Sequence, residues 1–148
     1  MEFHTPVLVD QVVAYLMADP GGLYVDGTIG GGGHAEALLG RLNRSARLIG
    51  NDRDGEAIAA CRGRFGNEKR RVDLLQGDLG SLPGRLEEMG VREIDGFLLD
   101  LGLSSHQIDR PDRGFSYLVE GPLDMRMGGD GPDAAEWMNN EPEESLAT

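Results

Sequence analysis

Apolar positions along the chain follow two alternating rhythms. From Thr5, "TPVLVDQVVAYLMA" spaces its valines, leucines and Tyr15 at helical intervals, with Thr5 suited to a cap and Pro6 to the first helical position. A glycine break follows, and the apolar run from Leu23, "LYVDGTI", reads as a first strand. "GHAEALLGRL" returns to helical spacing directly after four glycines. "ARLIGND" (46–52) is a second buried strand ending on acid, and "DGEAIAACRGRF" (54–65) a second amphipathic helix. "VDLLQGD" (72–78) is a third strand, and "LGSLPGRLEEMG" (79–90) a turn and short helix. "IDGFLLDLG" (94–102) is a fourth strand, apolar nearly throughout. Short apolar strands alternating with helices predict a parallel sheet covered on both faces. Right-handed crossovers leave the doubly wound, Rossmann-like α/β sheet as the common solution.

After Gly102 the rhythm is lost. "LSSHQIDRPDRGFSYLVEGPLDMRMGGDGPD" is rich in Gly, Pro, Asp and Arg and predicts a long loop without structure of its own. It carries Phe115, Tyr117 and two methionines flanking Arg126, which favours a functional loop over a disordered one. "DAAEWMNN" then opens a short helix with Asp133 and Glu136 in capping-box register. "NEPEESLAT" begins another, with Asn140 as its cap and Pro142 in its first turn. So short a helix is not stable alone. The expectation is a chain cut in mid-element at Thr148.

Composition narrows the setting. The 148 residues suffice for one core, and 39% hydrophobic with 27% charged content is ordinary for a globular protein. One cysteine, Cys61, excludes an internal disulfide and fits a reducing compartment. No signal-peptide pattern and no membrane-length apolar run is read, so a cytoplasmic location is expected. A net charge of −12 argues against a protein that coats nucleic acid non-specifically. It leaves room for an enzyme that touches nucleic acid through one patch.

The candidate chemistry lies in "DGTIGGGGH" (26–34). A glycine-rich turn between a first strand and a first helix is a nucleotide-cofactor signal, and Gly30, Gly32 and Ala35 fit G-x-G-x-x-G/A. Asp52, 22 residues after Gly30 at the end of the second strand, is placed to accept both ribose hydroxyls. This much suits NAD and S-adenosylmethionine alike. Asp26 separates them: a carboxylate at the turn repels a pyrophosphate but meets a sulfonium and an ammonium. An NAD-dependent oxidoreductase stays as the alternative enzyme, and a non-catalytic cofactor-binding module as the alternative of another class.

The segments "HTPVL", "DGTIGGGGH", "DRD", "LLDLGLSSHQID", "RGFSY" and "GPLDMRM" occur in the order found in one bacterial family. Over essentially its whole length the chain resembles the small-subunit (16S) ribosomal RNA cytosine-N4 methyltransferases of type H. The resemblance implies a Rossmann-like class I methyltransferase that uses S-adenosyl-L-methionine to methylate a cytidine of small-subunit ribosomal RNA. It implies cofactor contacts at Gly32, Gly33 and His34 of the first turn, Asp52, Asp100 and Gln107. It also implies one at Leu79, where the family often has an aromatic residue; leucine packs on adenine but does not stack. No metal is implied. Residues 1–130 match the N-terminal part of the cofactor-binding domain, and 131–148 the start of an inserted helical domain. The sheet would then be incomplete on its C-terminal side. Its fourth strand would be an apolar edge open to self-association, and the chain alone inactive.

Catalysis at an exocyclic amine calls for alignment with the methyl group and for acceptors that meet the charge developing on nitrogen. Asp100 fits such an acceptor or serves the cofactor, and the latter is preferred. The Pro-Pro-aromatic signature common in amino-methylating enzymes is absent after Asp100. His34 is read as a contact at the helix start rather than a base, and Ser104 and Ser105 as turn caps. Phe115 and Tyr117 suit base stacking or core packing equally, and Arg110, Arg113 and Arg126 suit phosphate or ion pairs equally. Met125 and Met127 are read as packing residues, and Cys61 as simply buried.

Overall fold

The computed structural model describes residues 6–147. The chain divides into two compact units, Phe3–Gly102 and a second containing Leu103–Thr148.

The first unit is a βα repeat. Helix α1 (Val9–Leu16) leads to β1 (Leu23–Asp26), α2 (Gly33–Leu39), β2 (Arg47–Asp52) and α3 (Gly55–Phe65). Strand β3 (Arg71–Gln76), helix α4 (Leu82–Glu88) and β4 (Gly96–Leu98) complete it. All pairings are parallel, in the order β3-β2-β1-β4. Register sets Tyr24 beside Leu48 and Val25 beside Ile49, and alternation sends the two pairs to opposite faces. Tyr24 and Leu48 join Val13 of α1, Leu38 and Leu39 of α2, and Ile58 and Cys61 of α3 in one core. Val25 and Ile49 pack with Leu82 of α4 in another. Helices therefore cover both faces, as expected of a doubly wound sheet.

Two boundaries differ from the sequence expectation. Helix α1 starts at Val9, not Pro6; Leu8 precedes it in a left-handed conformation, φ 56°. The Thr5 cap lies outside the described residues. The reason is tertiary: Pro6 packs against Gly33, and the Val7 carbonyl oxygen is 3.1 Å from His34 Nε2. Strand β4 spans only Gly96–Leu98, because its one neighbour among the described residues, β1, ends at Asp26 opposite Leu98. Beyond it, Asp100 N donates to Thr28 Oγ1 at 2.7 Å. At this sheet edge Phe97 is 45% and Leu99 41% exposed.

The second unit holds more structure than a loop. Helix α5 (Ser105–Asp109) is followed by a 3-10 turn, Pro111–Arg113. Ser104 Oγ accepts from Gln107 N at 3.2 Å, and Gln107 Oε1 accepts from Ser104 N at 3.0 Å. Ser104 thus caps α5 through a reciprocal box that the sequence reading passed over. Helix α6 (Ala134–Asn140) starts in the expected box, Asp133 with Glu136. Helix α7 (Glu143–Leu146) is capped at Pro142, while Asn140 ends α6 instead of capping α7. Among the described residues no helix is long and apolar enough to cross a membrane.

Candidate functional site

The site forms where the strands of the first unit end. From β1 the order steps through β2 to β3 on one side, then returns to β4 on the other. Such a reversal opens a crevice beyond the carboxyl ends of the strands. Gly27 N donates to Leu98 O at 2.9 Å, which ties the turn after β1 to the end of β4.

The glycine turn is shaped by backbone and neighbours together. Gly30 and Gly32 have φ of +51° and +81°, values that favour glycine. A Cβ on Gly32 would lie 2.9 Å from the Phe65 ring and 3.1 Å from Cys61 Sγ, and one on Gly33 2.6 Å from Pro6 Cγ. The Cys61 thiol donates to Gly30 O at 3.2 Å. Burial, with Asp26 nearby, pushes that thiol up to about 12.

Asp52 braces the same turn. Its Oδ2 accepts from Gly30 N at 2.8 Å and its Oδ1 from Asp54 N at 2.9 Å. A carboxylate has about four acceptor positions, so Asp52 retains capacity for ligand hydroxyls. Burial holds its carboxyl above the ordinary carboxylate range, against the lowering pull of those amides.

Asp26, at the end of β1, is 3% exposed. Thr28 N donates to its Oδ1 at 3.2 Å. Burial chiefly raises its pKa to about 7, and the charges of Asp52 and Asp100 add to the rise. Three carboxyl groups thus share one end of the sheet, with the most buried of them poorly able to stay ionised alone. A cationic ligand would relieve that strain; an anionic one would worsen it.

His34, in the first turn of α2, places Nε2 3.1 Å from Val7 O and Nδ1 3.8 Å from Asp100 Oδ2. The first contact is a hydrogen bond; the second is too long for one. Asp100 projects outward, its side chain 59% exposed. Leu79, two residues past Gly77, lies with Leu99 against Gly27: a Cβ there would be 3.0 and 2.7 Å from their methyl groups. Gly32, Gly33, His34, Asp52, Leu79 and Asp100 therefore gather at one end of this sheet. Gln107 belongs to the second unit, buried within α5.

The MraW methylase family model matches residues 1–148. The chain belongs to that family. Among MraW relatives, a ribosomal RNA small subunit methyltransferase H from Heliobacterium mobile is 47% identical over 146 residues, 97% of this chain and 47% of its own. One from Geobacter sp. (strain M21) is 48% identical over 144 residues, 97% of this chain and 46% of its own. One from Geotalea uraniireducens is 47% identical over 145 residues, with the same two shares. The chain spans about half the length of the curated relatives it matches.

The arrangement in this MraW-family chain also decides several open choices. Arg110 pairs with Asp112 at 2.8 Å and Arg126 with Asp124 at 2.6 Å, while Arg113 donates to the carbonyls of Arg126 and Met127. The arginines of the second unit are thus engaged in internal pairs. Tyr117 is 94% exposed, which removes the packing alternative for it, whereas Phe115 is half-buried. Met125 is 49% exposed, contrary to the packing expectation; its φ of 56° turns the chain and sends the side chain outward. Sequence reasoning missed Thr28, whose hydroxyl accepts from Asp100 N. It also missed Asn51, a lone amide in the apolar run of β2. The second had a readable signal: a polar residue at a buried strand position.

Proposed function

We propose that the chain contributes the cofactor-binding part of an S-adenosylmethionine-dependent methyltransferase acting on cytosine N4 of small-subunit ribosomal RNA. The carrying observation is the convergence of Asp26, Asp52 and Asp100 beside a tight glycine turn, a setting that suits a nucleoside bearing positive charge. When bound, that cofactor supplies an electrophilic methyl group on a sulfonium. Asp52 would hold the ribose hydroxyls, Leu79 would pack on the adenine, and Gly32 and Gly33 would let the ligand approach the backbone. Asp26 and Asp100 would face the cationic end, and His34, in the first turn of α2, would add a contact beside Gly32 and Gly33. The resemblance also implies a cofactor contact for Gln107, which belongs to the second unit.

Asp100 is the catalytic candidate. Its exposed carboxylate favours a second role, accepting a hydrogen bond from the cytosine amine as charge builds there. Residues 131–148 would open an inserted helical domain, and the open β4 edge would serve as a self-association surface. Light scattering tests the edge: a monomer at every concentration would refute it.

Because the chain covers under half its relatives' length, cofactor binding carries the test. Isothermal titration should show binding of S-adenosylmethionine and S-adenosylhomocysteine and none of NAD. Binding of NAD without either adenosyl compound would overturn the proposal in favour of an oxidoreductase. Methyl transfer is then assayed on small ribosomal subunits and on naked ribosomal RNA.

A further inference from the structure

Asn51 sits in the central part of the sheet, on β2, 1% exposed. Its Nδ2 donates to two carbonyls, Gly27 O at 3.2 Å and Gly77 O at 3.0 Å. The first belongs to the turn after β1, the second to the turn after β3. Two carbonyl acceptors fix which end of the amide faces them. Its backbone oxygen also accepts from Ile29 N at 2.9 Å. One residue therefore fastens both turns that flank the end of β2.

This arrangement is costly. Asn51 Oδ1 is buried without a hydrogen-bond partner. A leucine or valine would fill a central parallel strand without that penalty. Locally unfavourable choices of this kind occur where a site must be held in shape. Gly27 leads into the glycine turn, and Gly77 leads to Leu79. The two turns are the walls between which a ligand with a nucleoside end and an amino-acid end would lie.

Building on the cofactor reading above, we infer that Asn51 is a positioning residue that sets the separation of these two turns and so selects a ligand spanning both. It does not touch the ligand. Its loss should weaken an adenosyl amino acid much more than adenosine, which lacks the second end.

The test measures S-adenosylhomocysteine and adenosine affinities by titration for the wild-type chain, Asn51→Leu and Asn51→Thr. Leucine removes the donor while keeping the branched shape and the number of side-chain heavy atoms; threonine keeps one hydroxyl donor in a residue suited to strands. Folding is checked by thermal melting, and Asn51→Thr carries the test if Asn51→Leu does not fold. The expected result is at least a tenfold loss for S-adenosylhomocysteine in Asn51→Leu, a smaller loss in Asn51→Thr, and under threefold for adenosine in either. A loss for S-adenosylhomocysteine under tenfold in folded Asn51→Leu, or under threefold in Asn51→Thr where Asn51→Leu does not fold, would overturn the inference. So would equal losses on both ligands, the mark of general loosening. Failure of the wild-type chain to bind either ligand would instead overturn the cofactor reading.

Discussion

The two units are held together by different forces. In the first, Leu48, Ile49, Tyr24 and Cys61 are fully enclosed, and every buried hydrophobic residue among those described lies between Val13 and Leu82. In the second, the buried residues are His106 and Gln107, both polar, while Leu118 is 78% and Met138 61% exposed. Its order comes from two capping boxes and from arginines clamped onto carboxylates and carbonyls. Apolar burial gives a cooperative core whose stability scales with area; exposed ion pairs and caps fix a local path and contribute little to global stability. The cofactor candidates sit almost wholly on the first kind of scaffold, which suits residues that must stay in place.

Mutations should separate the two regions sharply. Leu48→Ala should cost about 2–5 kcal/mol in urea denaturation, the range for emptying a closed core site. A cost under about 1 kcal/mol would break the contrast. Asp26→Asn probes the one strongly uncomfortable charge in the first unit. Because the folded-state pKa is raised to about 7 from 3.8, the stability it contributes is present below about 4 and lost as pH rises through about 7. The amide variant, neutral throughout, should therefore match wild type near pH 4 and exceed it above pH 7, by on the order of a few kcal/mol. It should bind S-adenosylmethionine more weakly at high pH, where wild type carries the matching charge. Equal melting temperatures across that range would remove the argument.

The second unit should answer to pH in the opposite direction. Arg126 holds the Asp124 carboxyl down at about 2. What that pair contributes is present above about 4 and lost as pH falls through about 2. Carbon NMR of Asp124 should place its midpoint well below that of an ordinary aspartate. An Arg126→Gln change should bring the midpoint back towards 4. The smallest effect is expected at Leu118→Ala, within about 0.5 kcal/mol of wild type by the same denaturation assay. A larger loss would mean that this exposed leucine is covered in solution.

Most of the sheet was legible because burial on two faces demands continuous apolar runs, and "RLIGND" and "LYVD" supply them. The glycine turn and its acids were legible for a chemical reason, since few settings tolerate that much bare backbone. The ends of elements were not. What stops α1 before Val9 is the contact of Val7 with His34, 27 positions further along the sequence, and what shortens β4 is the length of its partner. The Ser104–Gln107 box was present in the sequence but masked by its Gly-, Pro- and Asp-rich surroundings. The sequence marks Asp52 only as a ligand acceptor; its brace on Gly30 depends on a fold the sequence does not display.

Cys61 gives this molecule a built-in reporter. The chain has one cysteine, its sulfur is sealed beneath the glycine turn, and its thiol resists ionisation near neutrality. A maleimide or disulfide reagent reaches it only when the turn or the core packed around it opens. The labelling rate therefore times that opening, and a bound adenosyl ligand should lengthen the interval without any engineered probe.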